Sequence, residues 1–458
     1  MKILWVDDDW IDNSQELEEL YNDLQNEIEK HLNDVEIERT HDSSAAYKLI
    51  DRNDYVFAII DIEYLDVSKK KQITVAQELF DKLENRRIHY AVYSNYIRDI
   101  QIKSHFCVGL YSKGKDRQLE FVEDIIKYIT NPSYRIIQMN DLHYSAQTDT
   151  NDSDEFFKIL QEYLKEIDNT KKIDLAMFAG DFSDKNPSEE LFFISDWIKK
   201  TFFENLKIKH DRIFIVPGNH EVIWSNYIDQ KRSNRPYSAY VNFLQSIYNN
   251  KRDILSSFVS WVKSSMPIEA KEEGLSWHRS LLFPNISVIG ICSNSSSSEE
   301  QGMGVLSQEN IRYIKEKWKS EKSINETRIL ILHHNLFPVR SNDNRDEDRT
   351  ILNAGKALNT LVESKCDIIL SGHTHRSESV LYKSTVLTSL GYETGKEILL
   401  ISSGTCGGIA PTYDLQKSFN VIDISLDTDN KRRVEVTPHL YDSRTSTWEG
   451  KTSAVFYV

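Results

Sequence analysis

The chain has 458 residues, which at roughly 100–200 residues per domain predicts two to four domains. A composition of 40% hydrophobic and 28% charged residues is typical of a globular protein and argues against wholesale disorder. The formal net charge of −15 disfavours non-specific binding to nucleic acid or to an anionic membrane, because neutralising phosphates needs clustered Lys and Arg.

Cysteine usage and the length of apolar runs predict the cellular compartment of the protein. The four cysteines are scattered and form no CxxC pair, so we expect reduced thiols rather than disulfides or a structural zinc site. The N-terminus, MKILWVDDDW, turns acidic after a short apolar run and does not resemble a signal peptide. No uninterrupted apolar stretch approaches the ~18 residues of a membrane span. We therefore expect a cytoplasmic protein without membrane association.

Residues 1–130 alternate short apolar runs with helical patterns, and we take them as the first domain. The predicted strands are Lys2–Val6, Val35–Arg39, Val56–Ile60, His89–Tyr93 and Cys107–Tyr111, and the predicted helices are Ser14–Leu32, Ser44–Asp51, Val75–Leu83 and Gln118–Ile129. This alternation is typical of an α/β fold with a doubly wound, five-stranded parallel sheet.

Polar residues stand where the predicted strands of this domain end, and ligands gather at the carboxyl ends of strands in such sheets. These residues are Asp7, Asp8, Asp61, Ser94 and Lys113. The set resembles that of the response-regulator receiver domain, which is flavodoxin-like. The resemblance implies that Asp7, Asp8 and Asp61 hold Mg²⁺, for which carboxylate oxygens are suitable ligands. It also implies that Asp61 accepts a phosphoryl group as nucleophile, with Ser94 and Lys113 as the switch residues.

A receiver domain implies a partner that supplies the phosphoryl group, namely a histidine kinase or another protein, and it makes a homodimer an expectation. Gly114 and Leu110 differ from the residues usual at these places in the family. A receiver-shaped scaffold used for docking or dimerisation therefore remains the alternative interpretation.

The segment Asn131–Ser133 contains a proline that disfavours continuation of a helix, so we place a second domain at residues 131–458. Its predicted strands each end in a polar cluster, and they are Tyr134–Met139, Ile173–Phe178, Ile213–Val216, Ile329–Leu332 and Ile368–Leu370. Residues 223–285 lie between two such strands and are rich in aromatic residues. Their spacing predicts a mostly helical insertion that acts as a lid or cap.

The polar clusters of the second domain contain the residue types that a dinuclear metal centre needs. In chain order they are D-x-H at Asp141–His143, G-D-x-x-D at Gly180–Asp184, G-N-H-E at Gly218–Glu221, H-H at His333–His334 and G-H-x-H at Gly372–His375. Two divalent metals together activate water and stabilise the charge that grows on a phosphoryl group during hydrolysis. Imidazole, amide and carboxylate ligands suit Mn, Fe, Zn or Ni.

All five motifs, in this order, resemble those of the calcineurin-like metallophosphoesterase superfamily over about residues 134–410. The resemblance implies a four-layer α/β/β/α sandwich and two divalent transition-metal ions. It implies two ligand sets that share Asp181 as a bridge, namely Asp141, His143, Asp181 and His375 for one metal and Asp181, Asn219, His333 and His373 for the other. Either His333 or His334 is the ligand from the H-H pair, and the family pattern favours His333.

The same resemblance places His220 over the scissile phosphate, as general acid or as a donor to a non-bridging oxygen. Asp184, three residues after Asp181, is then expected to orient His220 through its carboxylate. His220 and Asp184 are the two catalytic residues that the sequence predicts.

The predicted function is a metal-dependent phosphoesterase that hydrolyses a phosphodiester or a phosphomonoester, gated by the receiver-like domain. One alternative is a nuclease or nucleotidase, for which the Lys and Arg residues of 223–285 would supply a local basic surface. The acidic overall charge disfavours a long nucleic acid. An alternative of another class is a signalling or interaction protein with a non-catalytic metal site, and the presence of both His220 and Asp184 argues against it.

Overall fold

The computed structural model describes residues 2–7, 15–31, 35–52, 55–62, 69–86, 88–95, 107–113, 115–130, 133–145, 150–184, 187–221, 238–248, 276–281, 286–294, 304–319, 322, 326–337, 350–388, 391–407, 417–426 and 431–458. It divides into two compact units, Met1–Ser133 and Tyr134–Leu281 with Ile286–Val458. Within the described ranges, no helix is both long enough and apolar enough to cross a bilayer.

The first unit is a five-stranded parallel sheet with the strand order β2-β1-β3-β4-β5. Its strands are β1 (Lys2–Val6), β2 (Glu36–Thr40), β3 (Tyr55–Ile60), β4 (His89–Tyr93) and β5 (Cys107–Tyr111). Its helices are α1 (Gln15–His31), α2 (Ser43–Arg52), α3 (Lys69–Asn85) and α4 (Lys115–Thr130). This is the strand order of flavodoxin-like folds.

The central strand β1 shows why this sheet is covered on both faces. Ile3 and Trp5 pack into a core with α1 and α4, whereas Leu4 and Val6 pack into a second core with α2 and α3. Successive side chains of a strand point to opposite faces, so an apolar run without alternation needs helices on both sides. The predicted doubly wound sheet is therefore confirmed.

The second unit contains the remaining elements. Its helices are α5 (Thr150–Thr170), α6 (Pro187–Ile198, which continues as a π-helix over Lys199–Asn205), α7 (Ser238–Ile247), α8 (Gln308–Lys317) and α9 (Ala354–Glu363). Its strands are β6 (Tyr134–Met139), β7 (Leu175–Phe178), β8 (Ile213–Ile215), β9 (Ser276–Leu281), β10 (Ile286–Ile291), β11 (Thr327–Ile331), β12 (Ile368–Ser371), β13 (Glu378–Thr388), β14 (Gly391–Ser402), β15 (Ser418–Leu426), β16 (Arg432–Asp442), β17 (Thr447–Gly450) and β18 (Ala454–Tyr457).

These strands form two mixed sheets. One has six strands in the order β13-β14-β12-β11-β10-β9, and the other has seven, in the order β17-β16-β15-β6-β7-β8 with β18 paired to β16. Strand β11 shows the layering, because Ile329 and Ile331 belong to the core shared by both sheets, α5 and α6. Leu330 and Leu332 face the other way, into a core with α8 and α9. The result is the predicted four-layer α/β/β/α sandwich.

The predicted helical insertion at 223–285 needs a correction at its C-terminal end. Helix α7 lies within it, but Ser276–Leu281 is a strand that pairs antiparallel with β10. Tyr240 and Phe243 of α7 are buried in the main core, so they stabilise the sandwich rather than face a substrate. The basic residues that would supply a nucleic-acid surface, at positions 231–252, lie outside the described residues.

Candidate active site

The predicted ligands follow β6, β7, β8, β11 and β12, which come from both sheets of the second unit. Five of them have the left-handed backbone that non-glycine residues avoid, namely Asp141 (φ 52°), His143 (40°), Asp181 (54°), His373 (69°) and His375 (58°). Each such residue costs about 1–3 kcal/mol, and strain of this kind clusters at functional sites. The backbone is therefore bent to turn these side chains toward one place.

The first group of side chains consists of Asp141, His143 and His375. His143 Nε2 lies 3.1 Å from His375 Nε2 and 3.7 Å from Asp141 Oδ1. His375 Nε2 lies 3.4 Å from the same oxygen. Ligand atoms bonded to one ion at about 2.0–2.2 Å are separated by about 3 Å. This group therefore has the spacing of ligands around a single divalent ion.

The second group is centred on His333, whose side chain is fully buried. His333 Nε2 lies 3.0 Å from Asn219 Oδ1, 3.1 Å from His373 Nδ1 and 3.1 Å from Asp181 Oδ2. These atoms have the same close spacing as those of the first group. They form a second set of ligands of the kind that transition metals prefer.

The carboxylate of Asp181 belongs to both groups. Its Oδ2 atom, which faces His333, also lies 3.8 Å from His143 Nε2. Its Oδ1 atom accepts a hydrogen bond of 2.9 Å from the backbone N–H of His220. A Cβ atom at Gly218 would lie 2.1 Å from Oδ1, so only glycine allows this approach. One oxygen of Asp181 is thus held in place while the other faces both ligand groups.

A backbone carbonyl sets the tautomer of His333. The Nδ1 atom lies 2.6 Å from the carbonyl oxygen of Ala179. Because a carbonyl only accepts, Nδ1 carries a proton, and Nε2 is the nitrogen whose own proton a metal ion would replace. Burial by itself lowers the pKa of His333, but the adjacent Asp181 carboxylate outweighs it and raises the pKa to about 9. The site therefore attracts positive charge at the position where a metal ion would supply it.

The second histidine of the H-H pair, His334, lies beside this group, with its ring centroid 4.4 Å from that of His373. His334 Nδ1 lies 2.9 Å from Ser293 Oγ, which also accepts a 3.1 Å hydrogen bond from the His334 backbone N–H. Asn335, the next residue, hydrogen-bonds to Thr374 Oγ1 at 3.0 Å. The geometry therefore favours His333 over His334 as the ligand.

His220 lies beside the first group, with its ring centroid 4.7 Å from that of His143. Its Nδ1 atom donates a hydrogen bond of 2.8 Å to the backbone carbonyl of Asp184. The other ring nitrogen, Nε2, takes no part in this bond. The main-chain oxygen of Asp184 makes this contact, while a carboxylate oxygen of Asp184 lies within 4.8 Å of ring nitrogens of His220 and His143, so the orienting role of the carboxylate stays a prediction. Burial lowers the pKa of His220, but the Asp181 charge, the hydrogen bond to the Asp184 carbonyl and the Glu221 charge together outweigh burial, and the net shift is upward.

A model of the calcineurin-like phosphoesterase family matches residues 134–377, the segment that carries all of these motifs. The chain belongs to the calcineurin-like phosphoesterase family. No curated protein matches the chain.

Several solved structures resemble parts of this phosphoesterase. A protein from Staphylococcus aureus, provisionally named a 5′-nucleotidase, is 13% identical with a TM-score of 0.37, covering 71% of this chain and 54% of its own. The phosphoesterase thus spans about half of that protein. A phosphatase from Mycoplasma pneumoniae is 11% identical (TM-score 0.28, 72% and 94%). A response regulator from Thermotoga maritima, in complex with Mg²⁺ and BeF, is 24% identical (TM-score 0.21, 27% and 97%).

One buried carboxylate of the phosphoesterase has no role in the sequence prediction. Glu221 accepts hydrogen bonds from the backbone N–H groups of Asp181 (2.8 Å), Phe182 (2.8 Å), Ser183 (3.1 Å) and Gly218 (2.8 Å). It thereby fixes the loops that present Asp181 and the G-N-H-E segment. Burial, followed by the Asp181 charge, raises the pKa of Glu221. Glu221 is the last residue of the G-N-H-E motif, and its place in that motif was the sequence signal that could have identified it.

The first unit brings its own predicted residues together. Asp7, Asp61 and Ser94 are buried where β1, β3 and β4 end. Lys113 Nζ lies 3.0 Å from Asp7 Oδ1 and also forms an ion pair with Asp61. The backbone N–H of Lys113 donates to the Ser94 carbonyl at 3.3 Å. Asp8 lies outside the described residues.

Proposed function

We propose that the phosphoesterase binds two divalent transition-metal ions, Mn, Fe, Zn or Ni, and hydrolyses a phosphodiester or phosphomonoester. One ion would be held by Asp141, His143, Asp181 and His375, and the other by Asp181, Asn219, His333 and His373. The observation that supports this most directly is the position of Asp181 Oδ2, 3.8 Å from His143 Nε2 and 3.1 Å from His333 Nε2. A carboxylate oxygen shared by two ligand groups is the arrangement that a pair of adjacent ions needs.

When bound, such a pair supplies a hydroxide-like nucleophile near neutral pH and stabilises negative charge on the phosphoryl oxygens. The protein contributes the orientation of the groups around it. The Asp184 carbonyl holds the proton of His220 on Nδ1, so Nε2 is the atom that acts toward substrate. A proton on Nε2 would be donated to the leaving oxygen.

A substrate panel with matched variants tests this proposal. The chelator-treated protein, reloaded with Mn²⁺, would be assayed on a synthetic phosphodiester, a phosphomonoester, cyclic nucleotides and single-stranded DNA. We expect turnover of at least one ester by wild type. We expect its loss in Asp181→Ala and a fall of about 10²–10⁴-fold in His220→Ala.

The panel also separates the alternatives. Cleavage of single-stranded DNA alone would favour a nuclease. Bound Mn²⁺ without turnover of any ester would contradict the proposal and favour a non-catalytic metal site. Equal turnover by wild type and Asp181→Ala would show that the chemistry takes place elsewhere.

For the first unit we propose phosphorylation at Asp61 by a histidine kinase or another phosphoryl donor protein, with Mg²⁺ held by Asp7, Asp8 and Asp61. The support is that Lys113 already pairs with both Asp7 and Asp61, so a phosphoryl group on Asp61 would meet a cation at once. Ser94, buried at the neighbouring strand end, is the hydroxyl that would respond to the new charge. We propose that this modification gates the phosphoesterase.

Acetyl phosphate with Mg²⁺ tests the gating proposal without the natural kinase. We expect wild type, but not Asp61→Asn, to gain one phosphoryl group by mass spectrometry. We also expect phosphorylated wild type to change in ester turnover or in oligomeric state, as measured by light scattering. An unchanged turnover together with an unchanged mass in solution would rule out gating.

A further inference from the structure

Asn140 lies directly before the first ligand, Asp141, and is 1% exposed. It follows the last residue of β6 and forms an isolated bridge with Thr405. The sequence prediction assigns Asn140 no role, and Asn140 is not one of the predicted metal ligands. A buried amide is costly unless its donors and acceptor are all used, so its contacts show what it does.

Both N–H groups and the oxygen of the Asn140 amide have hydrogen-bond partners. Its Oδ1 atom accepts from the backbone N–H of Ala179 at 3.0 Å. Its Nδ2 atom donates to the carbonyl of Ser371 at 2.6 Å and to Ser403 Oγ at 2.7 Å. These partners distinguish the oxygen of the amide from its nitrogen. The backbone N–H of Ala179 requires the acceptor Oδ1 opposite it, and the carbonyl of Ser371 requires the donor Nδ2.

The partners of Asn140 lie on the segments that carry the ligands. Ala179 precedes Asp181 by two residues, and Ser371 precedes His373 by two residues. Asn140 itself is covalently joined to Asp141. One amide therefore links the ends of β6, β7 and β12, which belong to two different sheets.

Main-chain contacts strengthen the same junction. The Asn140 carbonyl accepts from the Cys406 N–H at 3.0 Å, and Thr405 Oγ1 donates to the Asp141 carbonyl at 2.8 Å. A Cβ atom at Gly372 would lie 2.8 Å from the Cβ of Asn140, so the two segments pack too closely for a side chain at position 372. Together with the hydrogen bonds of 3.2 and 3.0 Å from the His373 N–H to the two Asp141 carboxylate oxygens, the contacts of Asn140 hold Asp141 and His373 in their relative position.

A second polar layer in the same interface provides a comparison. Asn420 Nδ2 donates to Gln138 Oε1 at 3.0 Å and to the Ser402 carbonyl at 3.1 Å. Asn420 is fully buried and also bonds across the two sheets. However, it contacts neither the segment leading to Asp181 nor the residue next to Asp141. Its Oδ1 atom accepts a hydrogen bond of 2.6 Å from Ser377 Oγ, two residues after His375, so it contacts one ligand segment but does not link the segments of Asp141, Asp181 and His373 as Asn140 does.

We infer that Asn140 is a positioning residue that sets the separation of the two ligand groups, and so determines how tightly the metal pair is bound. The inference rests on the proposed dinuclear site. It goes beyond that proposal because it assigns the spacing of the two half-sites to one amide outside the ligand set. Removing it would let the strand ends shift independently, although every ligand would remain.

The test compares Asn140→Leu with Asn420→Leu in the full chain, since leucine has nearly the shape of asparagine and no hydrogen-bonding atoms. Mn²⁺ binding to the chelator-treated proteins would be measured by calorimetry, and urea unfolding of the metal-free proteins would measure stability. We expect both variants to lose stability. Only Asn140→Leu should bind Mn²⁺ more weakly, by about 10–100-fold, as for other residues that orient metal ligands. Ser403→Ala, which removes one partner of Asn140, should show a smaller loss in the same direction.

Two results would overturn the inference. One is Mn²⁺ affinity within twofold of wild type in Asn140→Leu or, if that variant does not fold, in Ser403→Ala. The other is an equal loss of affinity in Asn420→Leu, which would mean that any weakening of the interface suffices. Both leave the dinuclear proposal intact. Absence of Mn²⁺ binding by wild type would instead overturn that proposal, and this inference with it.

Discussion

Two glycines determine how closely the backbone approaches the carboxylates of the metal site. At Gly218 a Cβ atom would lie 2.1 Å from Asp181 Oδ1, and at Gly372 it would lie 2.6 Å from Asp141 Oδ2. Distances this short leave no room for a methyl group, so the carboxylate would have to move. The ligand loops can therefore adopt this conformation only because Gly218 and Gly372 have no side chain.

Gly218→Ala should consequently displace the shared Asp181 carboxylate. We expect Mn²⁺ affinity to fall by about 10–100-fold, measured by calorimetry. Gly355→Ala is the matched control, because no atom lies within 4 Å of a Cβ there and the residue is in α9. That control should stabilise the protein by about 0.5–1 kcal/mol. Unchanged Mn²⁺ affinity in Gly218→Ala would mean that Asp181 does not bind metal.

The contact between His220 and Asp184 predicts that the carboxylate of Asp184 is dispensable for orienting His220. The bond uses the main-chain oxygen, which every substitution retains. We expect Asp184→Asn to lower kcat/KM less than tenfold, and His220→Gln to lower it by about 10²–10⁴-fold. Steady-state kinetics on the best ester of the panel would measure both. Comparable losses in the two variants would show that the carboxylate itself takes part.

At the scale of single elements, helix α8 shows how a local signal fixes a boundary. Ser307 Oγ accepts from the Asn310 N–H at 3.1 Å, and Asn310 Oδ1 accepts from the Ser307 N–H at 3.0 Å, which forms a capping box. Ser307→Ala should lower the free energy of unfolding by about 0.5–2 kcal/mol, measured in urea. Ser307→Asp, which keeps an acceptor, should lose less. An equal loss in both would mean that the cap is not the cause.

Elements were predictable from sequence where a strand is parallel and buried on both faces. The apolar runs before Asp61, Asp141 and Asp181 have this character, and the structure places strands there. None of the six strands from β13 to β18 was predicted, although Ile398 to Ile401 of β14 is such a run, parallel to β12 and buried on both faces. Strand β16, for example, alternates buried and half-buried residues because it belongs to an antiparallel region.

The metal ligands, like the buried parallel strands, could be predicted from the sequence because they require particular residue types. Metal ligands must be Asp, His or Asn at fixed spacings, so the motifs identify them, and the structure brings these residues together. Glu221 and Asn140 act through hydrogen bonds to backbone atoms of distant segments. Residue patterns do not report such bonds, because the partner is an N–H or C=O group that any residue supplies. Glu221 had a signal as the last residue of G-N-H-E, whereas Asn140 belongs to none of the five motifs.

At the scale of the whole catalytic unit, a buried ionic network joins the two sheets away from the metal site. Asp367 is fully buried before β12, and it contacts Lys322, Lys396 Nζ at 2.7 Å and Arg432 Nη1 at 3.4 Å. Arg432 begins β16 of the other sheet. Burial alone would raise the pKa of Asp367, but Arg432 and the lysines outweigh it and hold the pKa below its usual value.

This network predicts how stability depends on pH. A carboxyl group with a lowered pKa in the folded state stabilises the protein above its unfolded pKa of about 3.9, and this contribution is lost as the pH falls through the folded pKa. Asp367→Asn should therefore lower the free energy of unfolding by about 3–5 kcal/mol at pH 7, because it leaves buried cations uncompensated. The difference from wild type should begin to shrink below about pH 4, where Asp367 of the unfolded wild-type chain takes up a proton, and should continue to shrink as the pH falls toward the lower pKa of the folded state.

Urea unfolding of wild type and Asp367→Asn at several pH values between 3 and 7 would measure this dependence. Asp442→Asn is the control, because Asp442 pairs with Arg444 at the surface, where Arg444 is 88% exposed. Solvent screens that pair, so its removal should leave the unfolding free energy unchanged at every pH. A deficit in Asp367→Asn that stays constant from pH 7 to pH 3 would mean that packing, rather than the charge of Asp367, holds the two sheets together at this point.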